Sequence, residues 1–141
     1  MARSEIQLER IAPPFQFKAV NSEGHSLIID AGVAAGGKGD GVRPMELLLM
    51  GLAGCSGIDV VHILNKQKQH IDAMSVTVQG ERGDSQGANP FEKIHLIFEL
   101  KGTIEAAHLE RAIALSLEKY CSAAKMLEKT AHITSEYKIN P

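Results

Sequence analysis

The sequence predicts an α+β protein with elements in the order βββ-α-ββ-α-β. Three observations predict it. Apolar residues alternate with period two in six short segments. One stretch, 44–69, is apolar at helical spacing, and a second helical stripe over 104–129 precedes the last alternating segment. At 141 residues the chain has the length of one domain, 1–141.

The first segment, 4–10, places Ile6 and Leu8 on one face, and the second, 15–20, alternates Phe15, Phe17 and Ala19. The third, 25–30, carries Leu27 and Ile29. Asn21-Ser22-Glu23-Gly24 supplies turn residues, so the second and third segments pair as a hairpin, whereas Pro13-Pro14 separates the first from the second. Residues 31–43 form a loop with five glycines, and Pro44 suits the first position of a helix, where its missing N–H costs nothing.

From 44 to 69 the helix is apolar on nearly every side and ~35–40 Å long, so it belongs at the centre of something. Glu46, Asp59 and His62 within it argue for a core helix rather than a membrane span. Gly51, Gly54 and Gly57 leave a strip without side chains on which a second helix can close. The expectation is an interlocked homodimer with two such helices at its middle. Two further strands follow, around Met74, Val76 and Val78 and around Ile94, Leu96, Phe98 and Leu100, joined by a polar loop. Thr103 is the expected cap of the second helix, whose stripe runs through Ile113, Leu117, Tyr120, Cys121, Ala124 and Leu127. The last strand carries Ile133, Tyr137 and Ile139.

Composition narrows the function classes. A formal charge of −2, no basic run and six aromatic residues in all exclude a nucleic-acid partner. The N-terminal residues MARSEIQLER lack the apolar core of a leader, and no membrane span is expected, so the expected compartment is the cytosol. Two cysteines there are core residues, ligands or redox groups.

Cys55 sits between Gly54 and Ser56, deep in the apolar helix. A buried free cysteine is commonly inert packing; here the small neighbours leave one side of the sulfur unscreened. Cys121 lies near the stripe of the second helix and invites the same two readings. The pair cannot form a local CxxC, yet a peroxidatic thiol needs a second thiol to condense with its sulfenic acid, and one Cys on each core helix meets that need. Asp59 and His62 invite a triad, but His62 is ~10.5 Å from Cys55 along the axis, beyond a base's reach. Asp59 would also raise the pKa of a neighbouring thiol, the wrong direction for activation.

Gly32 to Lys38 reads G-x-x-x-x-G-K, but Gly39 replaces the hydroxyl residue that holds Mg²⁺, so no nucleotide site is expected. The six His have no metal-ligand spacing, and neither a metal nor another cofactor is expected. Arg43 and Glu46 stand at the mouth of the long helix, either as an ordinary i, i+3 ion pair or as a guanidinium that stabilises a thiolate while the carboxylate holds it.

The run Arg43-Pro44-Met45-Glu46-Leu47-Leu48-Leu49, Gly36-Gly37-Lys38 before it and Gly51-Leu52-Ala53-Gly54-Cys55-Ser56-Gly57-Ile58-Asp59-Val60-Val61 after it resemble the first-cysteine helix of the OsmC/Ohr family. These are the osmotically inducible and organic hydroperoxide resistance proteins. Glu118-Lys119-Tyr120-Cys121-Ser122 resembles the second-cysteine block. The resemblance implies an intertwined homodimer with central helices and outer sheets, and a cofactor-free peroxidase that reduces organic hydroperoxides. It implies that Cys55 becomes the sulfenic acid, that Cys121 closes a disulfide with it, and that a dithiol reductant reopens the bond. One departure stands out: the family glutamate ten residues before the first Cys is Met45 here. Glu46, nine before, points away from Cys55 on an ideal helix, and this chain is closer to a branch carrying R-P-x-E-L. Two other uses of the same fold are a non-enzymatic binder of small apolar ligands and a redox-sensing dithiol switch.

Overall fold

The computed structural model describes residues 1–141 and divides into two compact units, Met1–Leu48 and Leu49–Pro141. The first unit holds a three-stranded antiparallel sheet of β1 (Ile6–Ala12), β2 (Gln16–Asn21) and β3 (Ser26–Ile29) in that order. The predicted β2–β3 hairpin is present: the Asn21 side-chain oxygen accepts from the Glu23 and His25 N–H groups, and Gly24 takes φ +90°. Pro13-Pro14 does not separate β1 from β2. It lies in the turn of a second hairpin pairing Ile6 with Asn21 through Arg10 with Phe17, outside the ladder, where a missing N–H loses no bond.

The glycine loop is a folded element. Asp30 is buried, and its carboxylate accepts from the Ala31 N–H at 2.7 Å and the Asp40 N–H at 3.1 Å, tying the two ends of the loop together. A Cβ on Gly37 would stand 2.1 Å from the Ala31 carbonyl oxygen, so only glycine fits there.

α1 (Pro44–Lys66) begins at proline, as predicted, but ends three residues before the expected limit. Lys68 takes φ +57°, and the N–H groups of Lys68 and Gln69 bond the carbonyls of Asn65 and Leu64, a Schellman end built without glycine. The helix is not covered all round. One stripe, Leu52, Ser56, Val60 and Leu64 at i, i+4 spacing, is buried, while Leu48, Met50 and Ile58 are exposed.

The second unit contains a sheet in the order β4 (His70–Arg82), β5 (Phe91–Thr103), β6 (His132–Ile139). β4 and β5 are antiparallel; β5 and β6 are parallel, from Lys93–His132 to Leu100–Ile139. A parallel pair needs a crossover, which the second helical region supplies. Ile94, Leu96, Phe98 and Leu100 fill one face of β5, as their alternation predicts, and with Leu109, Ala112 and Ile113 form half of the buried apolar core.

The second helix departs from prediction. β5 runs through Thr103, so the cap is Glu105 instead, and α2 spans Ala106–Leu115. A π turn, Ser116–Tyr120, follows, with the Cys121 N–H bonded to the Ser116 carbonyl at 2.7 Å. Cys121 is extended (φ −75°, ψ 106°), and α3 restarts at Ser122–Leu127. Single π turns inside helices mark functional sites more often than chance, and this one delivers the second cysteine.

Candidate active site

The break in the helix gives Cys121 an orientation that a continuous helix would deny it. Cys121 is the N-cap of α3, and its Sγ accepts from the Ala124 N–H at 3.3 Å. The sulfur is wholly buried, and burial, helped by a hydrogen bond with Cys55 and opposed by the Ala124 N–H, pushes the thiol up to about 11. Cys121 therefore keeps its proton at neutral pH.

Cys55 is half-buried on α1, one position before the buried Ser56, whose hydroxyl donates to the Leu52 carbonyl at 2.8 Å. Both cysteines are free thiols, and Cys55 Sγ, Cys121 Sγ and an Asp59 carboxylate oxygen all lie within 4.8 Å of one another. A disulfide needs the sulfurs at about 2.05 Å, so a short side-chain movement closes it. The two cysteines assigned to the site by sequence are thus brought together although they lie far apart in the chain.

The third member is a residue that sequence reasoning set aside. Asp59 lies one turn beyond Cys55, and its Oδ2 accepts from the hydroxyl of the buried Ser116, 2.9 Å away on the π turn. That bond ties α1 to the segment carrying Cys121. The i, i+4 spacing of Cys55 and Asp59 was the available signal; nothing local pointed to Ser116. These are three donor atoms, one fewer than a closed structural zinc site takes. His62 is exposed.

Arg43 and Glu46 lie in the first unit, and they do not pair side chain to side chain. Glu46 Oε1 accepts from the Arg43 backbone N–H at 2.8 Å, which makes Glu46 a cap of the first turn of α1. The Arg43 guanidinium donates to the Gly41 carbonyl at 2.6 Å and lies against Gly32, where a Cβ would meet its Nε at 3.2 Å. Backbone, not carboxylate, holds this cation, which corrects the ion-pair expectation.

An apolar groove of about 610 Å³ runs between α1 and β4. It is lined by Gly54, Ile58, Val61, Met74 and Val76 with His62 and Asn65 at its edge, and neither cysteine lines it.

A family model described as OsmC-like protein matches residues 37–136, which include both cysteines and Asp59. The chain belongs to the OsmC-like family. Protein YhfA of Escherichia coli K12 is 39% identical over 125 residues, covering 87% of this chain and 89% of YhfA. Among solved structures, a hypothetical protein from Aquifex aeolicus superposes with a TM-score of 0.82 at 31% identity, with both chains fully covered. The organic hydroperoxide resistance protein OhrB of Bacillus subtilis superposes at 0.68 over 97% of this chain and 98% of its own, and at 18% identity shows a shared fold alone. The OsmC-like fold thus includes organic hydroperoxide resistance proteins, and in this chain it brings two cysteines close together.

Proposed function

We propose that this protein is a two-cysteine peroxidase that reduces organic hydroperoxides in the cytosol, as a homodimer. The observation that carries the reading is the convergence of a reachable thiol and a buried, protonated one within 4.8 Å. Cys55, half-buried, is the sulfur a substrate meets; Cys121, enclosed and held as a thiol, is the one that waits. Cys55 as thiolate attacks the distal oxygen of ROOH. The O–O bond breaks, the sulfur becomes sulfenic acid, and the alkoxide takes a proton to leave as alcohol. Cys121 then displaces the hydroxyl as water, and an external dithiol reopens the Cys55–Cys121 disulfide by exchange. Such a cycle needs a reducing compartment, which supports the cytosol.

The apolar helix that carries Cys55 and the likeness of the fold to organic hydroperoxide resistance proteins support a substrate with a carbon chain over hydrogen peroxide. Steady-state turnover with a dithiol tests the reading: an organic hydroperoxide should give the higher kcat/KM, and equal or better use of hydrogen peroxide would count against it.

The dimer is supported by surfaces that one chain leaves bare. In the first unit Ile6 is 64% and Leu8 57% exposed, and a three-stranded sheet with no buried apolar face has nothing of its own to rest on. On α1, Ile58 is 72% exposed, and nothing stands within 4 Å of a Cβ placed on Gly51 or Gly54. Gly54→Leu discriminates: it fits the single chain and improves helix propensity by about 1 kcal/mol, yet fills the strip on which a second α1 would close. Light scattering after size exclusion should show the wild type as a dimer and this variant below dimer mass; an unchanged dimer would refute the packing.

A further inference from the structure

We propose that Asp59 is the base that removes the Cys121 proton as the disulfide closes. The proposal rests on the peroxidase reading for its place in the cycle, but it concerns a step that any Cys55–Cys121 disulfide formation shares.

Closure requires a nucleophile that the structure holds in the wrong state. Cys121 is buried and protonated, and with a pKa of about 11 only about one molecule in 10⁴ would be thiolate at pH 7. A base must act during the attack itself. The Asp59 carboxylate lies within 4.8 Å of both sulfurs, a range that a small rotation or one water bridges. Its orientation is fixed by the hydroxyl of buried Ser116, which donates to Oδ2. Close to Asp59 stand Cys55 on its own helix, Ser116 on the π turn and Cys121 at the cap of α3, with the exposed His62 three residues further along α1. Nor does its charge oppose the step. A carboxylate beside a Cys55 thiolate is repulsive, but once Cys55 is a neutral sulfenic acid that repulsion has gone, and the carboxylate is free to accept a proton.

The step balances. Cys121 Sγ forms a bond to Cys55 Sγ as its proton passes to Asp59. The Cys55 S–O bond breaks, and the departing hydroxide takes the proton back from Asp59 as water. The carboxylate is regenerated, Cys55 is reduced from sulfenic acid to disulfide, and Cys121 is oxidised to disulfide. Ser116 is a positioning residue: it touches neither sulfur's proton and acts by aiming Asp59.

Two arms on the intact protein test this. In the first, reduced protein takes one equivalent of an organic hydroperoxide, and alcohol release and loss of the second thiol are followed by rapid quench. In the second, Cys55 is converted by 5,5′-dithiobis(2-nitrobenzoate) to a mixed disulfide, and release of the second coloured anion reports attack by Cys121 without peroxide. Asp59→Asn should slow closure by about 100-fold or more at pH 7 in both arms. Its rate should then climb about tenfold per pH unit toward 11, whereas wild-type closure changes little between about pH 6 and 9. Asp59→Glu should recover part of the rate and the shallow profile, and Ser116→Ala should slow closure less than Asp59→Asn. Wild-type closure rates in Asp59→Asn, or a slowed rate that keeps the wild-type pH profile, would overturn the proposal. Absence of alcohol in the first arm, with Asp59 dependence in the second, would remove the peroxidase reading and leave the base in place.

Discussion

Cys55→Ser abolishes dithiol-supported turnover of organic hydroperoxides. The loss should be about 10³-fold or more, down to the rate of peroxide and dithiol alone, because the variant has no sulfur within reach of substrate. The remaining cysteine cannot substitute: Cys121 is enclosed, and burial pushes its thiol up to about 11. Nor is lost structure available as an explanation. Cys55 is half-buried, and removing so small a difference at such a position costs about 1 kcal/mol or less. Circular dichroism and thermal melting of the variant should match the wild type, while alcohol production in the presence of dithiol falls to background. Retained turnover would mean that the chemistry lies elsewhere in the chain.

Cys121→Ser gives a different failure, and the difference identifies the roles. This variant should release one alcohol per protomer and then stall as a sulfenic acid, which further peroxide carries irreversibly to sulfinic acid. Successive additions of hydroperoxide should therefore inactivate it, with mass spectrometry finding two added oxygens on the peptide that holds Cys55. The substitution is tolerated for a specific reason. Cys121 caps α3 by accepting the Ala124 N–H, and serine is among the preferred N-caps, so its hydroxyl takes over that bond inside the buried cavity. Unimpaired cycling without inactivation would remove the resolving role from Cys121.

The contrast between these variants depends on a feature that periodicity did not reveal. The stripe through Ile113, Leu117, Tyr120, Cys121 and Ala124 reads as one continuous helix because each apolar residue falls where a helix would place it. The π turn at Ser116–Tyr120 shifts the register by one residue, so that Tyr120, which the stripe would bury, is exposed while the polar Ser116 is buried. Its causes are tertiary: the Ser116 hydroxyl engages Asp59 on another helix, and the Cys121 sulfur takes over capping of the next segment. Elements set by local chemistry were legible. Pro44 opens α1 as its missing N–H dictates, Asn21 and Gly24 form their turn, and Ile94 to Leu100 face the core in alternation. The end of α1 was overrun because Lys68 adopts a left-handed conformation usually given to glycine.

The site was legible in part for the same reason. The two cysteines could be paired through the family blocks around them, but the short range that a base needs is a product of the fold. Asp59 was set aside because a carboxylate disfavours a neighbouring thiolate, an argument that holds for Cys55 before oxidation and not for Cys121 after it. Arg43 and Glu46, adjacent in sequence at ion-pair spacing, proved to be held by backbone carbonyl and backbone N–H respectively.

The most direct measurement of the central claim is the mass and thiol count of reduced protein after one equivalent of an organic hydroperoxide per protomer. The account predicts one alcohol released, both thiols lost, and a Cys55–Cys121 bond within a single protomer in the non-reduced peptide map. Two thiols still free beside unconsumed peroxide, or a stable sulfenic acid on Cys55 with Cys121 untouched, would contradict it.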